Sequence, residues 1–140
     1  MGAHIKAGLS NLVAVLLCAL SVLFAPPSQF VQEPTIWHRL EPLMLPTLFL
    51  GVVLALLGLF LVLFSARAAA MCCIGASIAS MVGQTIGWGD NGASGAPGVS
   101  FLVIPLAVLT ITVIGAIAAL RQVRKEAVPT SAKEPRFGAD

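Results

Sequence analysis

Four runs of apolar and small residues, at positions 7–25, 45–66, 68–88 and 99–120, contain no Asp, Glu, Lys, Arg or His. Each approximates the roughly 20 residues that a helix needs to cross a hydrocarbon layer about 30 Å thick. Lipid offers no partner for a free backbone N–H or C=O, so such runs can span only as helices. Hydrophobic residues make up 58% of the 140 positions and charged ones 10%, against roughly a quarter charged in an ordinary water-soluble domain. The segments between the runs are short and could not bury a second, aqueous core. The sequence therefore predicts an all-α membrane protein, an up-and-down bundle of four transmembrane helices. They fall at about 7–25, 45–66, 68–88 and 99–124 within one domain, 1–128.

His4 and Lys6 precede the first run, as basic residues precede the apolar stretch of a signal peptide. A cleavage site wants small residues at two positions before the cut, whereas Leu23 and Ala25 run straight into Pro26 and Pro27. The run is thus expected to be an uncleaved anchor, with a removed signal as the alternative. Ahead of it, Met1 to Lys6 lack the Ser or Thr of a myristoylation signal.

Orientation follows from the flanks, because positive charge is retained on the cytoplasmic side. Lys6 lies ahead of the first run, Arg67 between the second and third, and Arg121, Arg124, Lys125, Lys133 and Arg136 after the fourth, with Glu126, Glu134 and Asp140. The first connection, 26–44, holds Glu33 and Glu41 with Arg39, and the third, 89–98, holds Asp90 alone. Four crossings put every basic flank on one side, so both termini are expected in the cytoplasm. Three or five would set the basic tail opposite Lys6. The runs flanking Arg67 must form a tight helical hairpin. The expected location is an integral one, in a bacterial inner (cytoplasmic) membrane or an organellar membrane, with the basic flank against an anionic inner leaflet. A formal net charge of +2 gives no sign of nucleic-acid binding.

Pro26, Pro27, Pro34, Pro42 and Pro46 punctuate the first connection, and each disfavours helix at the residue before it. Residues 35–40 are expected to make one turn lying flat on the membrane surface. Trp37 and Trp88 are the expected headgroup-level anchors, with ligand stacking as the rival role. The glycine-rich segment 89–98 lacks the Lys and the preceding strand of a phosphate loop, and no carboxylate continues Asp90-Asn91-Gly92 into a calcium loop. It is expected to be a turn. The tail, 129–140, is polar without an apolar face and is expected to be disordered; docking of a partner protein is its functional rival.

The third run is the least oily. Gly75, Ala79, Gly83 and Gly87 recur along it as a stripe of small residues, the pattern that lets helix backbones approach closely. Ser77, Ser80, Gln84 and Thr85 can hydrogen-bond to neighbours, so this helix is expected at the protected centre. Ala7, Asn11, Ala14, Cys18, Ser21 and Ala25 mark one face of the first helix, and Ala107, Gly115 and Ala119 one face of the fourth. The second, with long side chains from Leu48 to Phe64 broken by Gly51, Ala55 and Gly58, suits lipid or the flank of a large partner. Asn11 and Gln84, the two amides within the runs, are expected to join helices, with substrate contact as the alternative.

Residues able to do chemistry are scarce. Proton pumps and ion-coupled transporters commonly carry an ionisable group at membrane depth; the small multidrug exporters, similar in size, have an essential glutamate in their first helix that is missing here. Cys18, Cys72 and Cys73 have no metal-site spacing and imply no disulfide framework. His38, beside Trp37 and Arg39, is expected to face solvent rather than a quinone or metal. No Ser has a His or carboxylate beside it on a helix to activate it. No catalytic residue, metal or cofactor is therefore expected.

The segment Leu45-Pro46-Thr47-Leu48-Phe49-Leu50-Gly51, followed by Leu56-Leu57-Gly58-Leu59, resembles the second helix of the small membrane subunit of tripartite tricarboxylate transporters. The resemblance is confined to that segment. The polar spacer that follows this helix in the family is missing, since only residues 65–70 intervene. These observations favour a small non-catalytic accessory subunit that stabilises a larger integral membrane complex, respiratory, photosynthetic or transport. The alternatives are a small transporter component or pore, with Asn11, Ser77, Ser80, Gln84, Thr110 and Thr112 lining a passage, and a holin-like pore.

Overall fold

A computed structural model describes residues 2–23, 25, 36–93 and 99–128. They form α1 (Gly2–Leu23), α2 (Ile36–Leu61), α3 (Ala66–Ala93) and α4 (Val99–Ala127), with no strand among them. Three segments, Gly2–Leu23, Arg39–Leu61 and Ala66–Trp88, are long and apolar enough to cross a membrane, so this is a helical membrane protein.

The chain leaves α2 through a turn at residues 62–64. Ser65 then caps α3: its hydroxyl accepts from the Ala68 N–H at 3.3 Å and its carbonyl from the Ala69 N–H at 3.0 Å, satisfying donors that the first turn of a helix leaves open. The hairpin expected around Arg67 is therefore present, and Arg67 itself occupies the first turn of α3. His4, on α1, donates from Nδ1 to the Val62 carbonyl at 2.7 Å, covering an acceptor that the end of α2 exposes. A β-carbon placed on Gly2 would lie 3.7 Å from Gln122 Nε2. The start of α1, the α2–α3 turn and the end of α4 thus share one end of the bundle.

Among the described residues, α1 and α3 each pack on all three other helices, whereas α2 and α4 do not meet. The helices are therefore arranged in the order α1, α2, α3, α4 around the bundle, with α1 and α3 touching across its middle. Within one 18-residue apolar stretch of each of these helices, 56% of the α3 residues are buried, against 28% in α1 and in α2, so α3 is the most enclosed of the three.

Small residues make this enclosure possible. The main buried cluster is built from alanines and cysteines such as Ala7, Ala14, Cys18, Ala69, Cys73 and Ala116, while Leu9, Leu16, Phe49, Leu56 and Phe60 point outward. That inverts the usual water-soluble arrangement. In hydrocarbon, long apolar side chains gain nothing by hiding, and close backbone contact supplies the attraction instead. Gly51 shows how close: a β-carbon there would stand 3.1 Å from the Ala76 carbonyl oxygen and 3.4 Å from the Ser80 nitrogen.

Several boundaries differ from those the sequence predicts. Helix α1 starts at Gly2 rather than near residue 7. Helix α2 starts at Ile36 and runs unbroken through Pro42 and Pro46, so there is no separate surface turn over 35–40. Both proline rings lie on the exposed side of the helix, where they meet no neighbouring helix. The Thr47 hydroxyl, 2.9 Å from the Leu43 carbonyl and 2.8 Å from that of Met44, donates into the turn that Pro46 loosens. Helix α3 continues to Ala93, so residues 89–93, expected in a turn, extend it; helical dihedrals are open to glycine, at a cost of about 0.5–1 kcal/mol relative to alanine. Helix α4 runs to Ala127 with Pro105 inside it. The prolines at 26, 27 and 34, the segment 94–98, the tail from 129 onward, and the side chains of Trp37, His38, Asp90 and Pro105 lie outside the described residues.

Candidate functional site

The chemistry of this chain that is not at its ends lies along one side of α3, where short polar groups meet α1, α2 and α4. At the end nearest the hairpin, Asn11 of α1 is fully buried. Its amide Nδ2 donates to its own helix at the Ala7 carbonyl, 2.9 Å away, and across to the Ala69 carbonyl of α3, also at 2.9 Å. Its Oδ1 has no hydrogen-bond donor. It sits instead against Gly58 of α2, in the space a β-carbon on that glycine would occupy. The Gly58 α-hydrogen is therefore directed at the oxygen, a weak C–H contact of a kind common between closely packed helices. One amide joins three helices.

A turn or so further along, Cys73 of α3 directs its sulfur to the carbonyls of Ser10 on α1, at 3.6 Å, and Thr112 on α4, at 3.8 Å. Ser77 and Thr112 place their hydroxyl oxygens 2.8 Å apart, with the Cys73 carbonyl 2.9 Å from Ser77 and the Leu109 carbonyl 2.7 Å from Thr112. Two proton arrangements satisfy this pair. Either Thr112 donates to Ser77 and Ser77 to Cys73, or Ser77 donates to Thr112 and Thr112 to Leu109. In both, α3 and α4 are joined without a charge.

Towards the other end, Cys18 of α1 directs its sulfur to the Ala76 carbonyl at 3.8 Å. Ser80 is buried beside the Cys18 sulfur, and its hydroxyl makes no conventional hydrogen bond among the described residues. Gln84 closes the series. Its Nε2 donates to the Ser21 carbonyl of α1 at 2.8 Å, and its Oε1 accepts from the Trp88 indole N–H at 2.8 Å. From Ala69 to Gln84 this seam extends about 22 Å at 1.5 Å per residue, most of the hydrocarbon thickness.

The residues singled out from the sequence fall in several places. Asn11 and Gln84 both bridge α1 and α3. In the glycine stripe, Gly83 and Gly87 are buried and Gly75 and Ala79 half-buried. Gly75 faces Leu54, and Gly83 faces Leu48 and Thr47, so this stripe seats α2 and lies beside the polar seam. Trp88 is half-buried and commits its N–H to Gln84. Thr85 and Thr110 donate to carbonyls of their own helices, Met81 and Leu106, and Thr110 is exposed. The fourth-helix face is corrected: Ala107 is exposed, and Leu109, Thr112, Ala116 and Ala119 are buried. Lys6, Arg67, Arg121, Arg124 and Lys125 are exposed at the end of the bundle that holds the hairpin.

Sequence reasoning passed over Gly51, Ala55 and Gly58 as interruptions of a lipid-facing helix, yet they are its buried face. Their spacing of four and three was the available signal. Gly115 was correctly counted as a packing residue, and a β-carbon there would come within 2.7 Å of Ser10 Oγ. Among the described residues there is no group of three or more His, Cys, Asp or Glu able to hold a metal ion. The arrangement can lock helices together in hydrocarbon. No protein-family model, curated protein or solved structure matches the chain.

The contact between Asn11 and Gly58 makes a quantitative prediction. Asn11→Ala should destabilise the bundle by about 0.6–2 kcal/mol, and Gly58→Ala by about 1–3 kcal/mol because the new methyl meets the amide oxygen. In the double variant the collision with the amide disappears while the close approach to the Cys72 β-carbon at 2.9 Å remains, so its cost should fall short of the sum by at least about 0.5 kcal/mol. Equilibrium unfolding in mixed detergent micelles measures all four corners of the cycle; strict additivity would mean that the two residues do not touch.

Proposed function

We propose that this chain is a small, non-catalytic integral membrane subunit that packs against a larger membrane complex and stabilises it. All four helices cross the bilayer, with both termini in the cytoplasm of a bacterial cell or on the equivalent side of an organellar membrane. The observation that carries the reading is how the interior polar groups are used. Asn11, Cys73, Ser77 and Gln84 point at carbonyls or hydroxyls of neighbouring helices, which leaves them turned away from any solute. Outside, α2 presents Phe49, Leu50, Val53, Leu56, Leu57 and Phe60, a broad apolar flank that suits lipid or a neighbouring membrane protein. The cationic residues of α1, the hairpin and α4 gather at one end, which supports an even number of crossings with that end cytoplasmic.

One observation favours a second reading, a component of a solute transporter. Ser80 Oγ is a buried hydroxyl with no conventional hydrogen-bond partner among the described residues, as a group facing a hydrated path would be. Against it, Thr110, counted among pathway residues, is exposed and bonded within its own helix.

Native isolation from membranes should recover the chain with a larger assembly, and deleting the chain should lower the amount of that assembly severalfold. Recovery as a discrete particle of this chain alone, with no assembly affected by its loss, would contradict the proposal. Solute flux through liposomes holding only the purified chain would select the transporter reading. Reporter fusions at each terminus are expected to report the same cytoplasmic face; opposite faces would exclude four crossings.

A further inference from the structure

The hairpin end of the bundle carries a groove of about 460 Å³ between α3 and α4, lined by Arg67, Met71, Leu120, Val123, Arg124 and Ala127. Helix α3 departs from this end and α4 returns to it. Passing from Arg67 to Met71, or from Arg124 to Leu120, therefore moves inward along the bundle. The groove is graded, with two guanidinium groups at its outer level and Met71, Leu120 and Val123 deeper. No carboxylate lines it. That is the order of a phospholipid, with an anionic headgroup at the membrane surface and acyl chains below.

Helix stability does not explain Arg67. It lies in the first turn of α3, where a cation opposes the helix dipole. Ser65 already serves as the cap there. A guanidinium presents paired N–H donors that fit two oxygens of one phosphate, and Arg124 offers a second fork from the facing helix. A free anion would have no use for the apolar walls, and an apolar partner helix none for the paired cations. We infer that the α3–α4 groove is a binding site for an anionic phospholipid, its phosphate held between Arg67 and Arg124 and its acyl chains lying along Met71, Leu120 and Val123.

A second groove of about 410 Å³ between α1 and α4 sets Lys6, Arg121 and Lys125 above Ile114 and Ile117. It repeats the charged-over-apolar order with fewer guanidinium forks. Gln122, which lines it, holds the Glu126 carboxylate at 3.2 Å, so negative charge stands close by. Removing two of its three cations gives a control with the same loss of charge. The inference rests on membrane embedding and not on the accessory role, and the purified chain tests it separately from the stability of any complex.

Purified full-length chain in neutral detergent is titrated with phosphatidylglycerol, phosphatidylcholine or inorganic phosphate, and native mass spectrometry counts what is retained. Phosphatidylglycerol should bind in preference to the other two. R67Q/R124Q should weaken it by about 10- to 30-fold, whereas K6Q/R121Q, with the same loss of charge, should weaken it by less than about threefold. R67K/R124K preserves charge and should still lose affinity through loss of the forks, which keeps the test open should R67Q/R124Q fail to fold. Equal retention of the two lipids, equal losses in the two charge-removing variants, inorganic phosphate binding as tightly as phosphatidylglycerol, or R67K/R124K indistinguishable from the unaltered chain would each overturn the inference.

Discussion

Close backbone contact is the constraint on which this bundle depends. Between helices in hydrocarbon, burying leucine offers no advantage over leaving it in lipid, so attraction must come from packing and from hydrogen bonds that cross between helices. Both need short side chains. Gly51 lets α2 lie against the α3 backbone, Gly58 makes room for the Asn11 amide, and Gly115 admits Ser10. Where those glycines stand, α1 can sit across the middle of the bundle on α3, and the polar seam can form. Longer residues at these positions would separate the helices and leave Asn11, Ser77 and Gln84 without partners in an environment that penalises them heavily.

The seam also bears on what the protein can do. Its members are neutral, and the carbonyls they reach belong to the helices they join. A neutral hydrogen-bonded seam holds the helices in a fixed arrangement. The ionisable groups of α1, the hairpin and the end of α4 stand exposed at one end of the bundle. A bundle divided in this way has a fixed apolar flank along α2 and a charged margin at one end.

Much of this was legible where a single physical signal dominated. Ala7, Asn11, Ala14, Cys18 and Ser21 recur at helical spacing among leucines, and they are the buried face of α1 together with Ala3. The hairpin followed from two apolar runs separated by one arginine. Helix α2 was harder. Its prolines argued for a break, but their rings face outward and cost only local hydrogen bonds, and its small residues were hidden among long ones. On α4, the spacing from Ala107 to Gly115 and Ala119 selected a face by residue size alone. The buried face instead includes Leu109 and Thr112, because Thr112 is drawn inward by Ser77. Side-chain size gives one helix's preference; a hydrogen bond depends on two helices at once, and no single run of residues contains that information.

The cysteines report directly on whether the interior is closed and tightly packed. Cys18 and Cys73 are buried in the seam, whereas Cys72, next in sequence to Cys73, is half-buried. Treating the native protein with a small membrane-permeant maleimide and locating the adducts by mass spectrometry is the most direct measurement. Modification of Cys72 with Cys18 and Cys73 protected until the bundle is unfolded is the predicted result. Labelling of Cys18 or Cys73 as fast as Cys72 in the native bundle would contradict it.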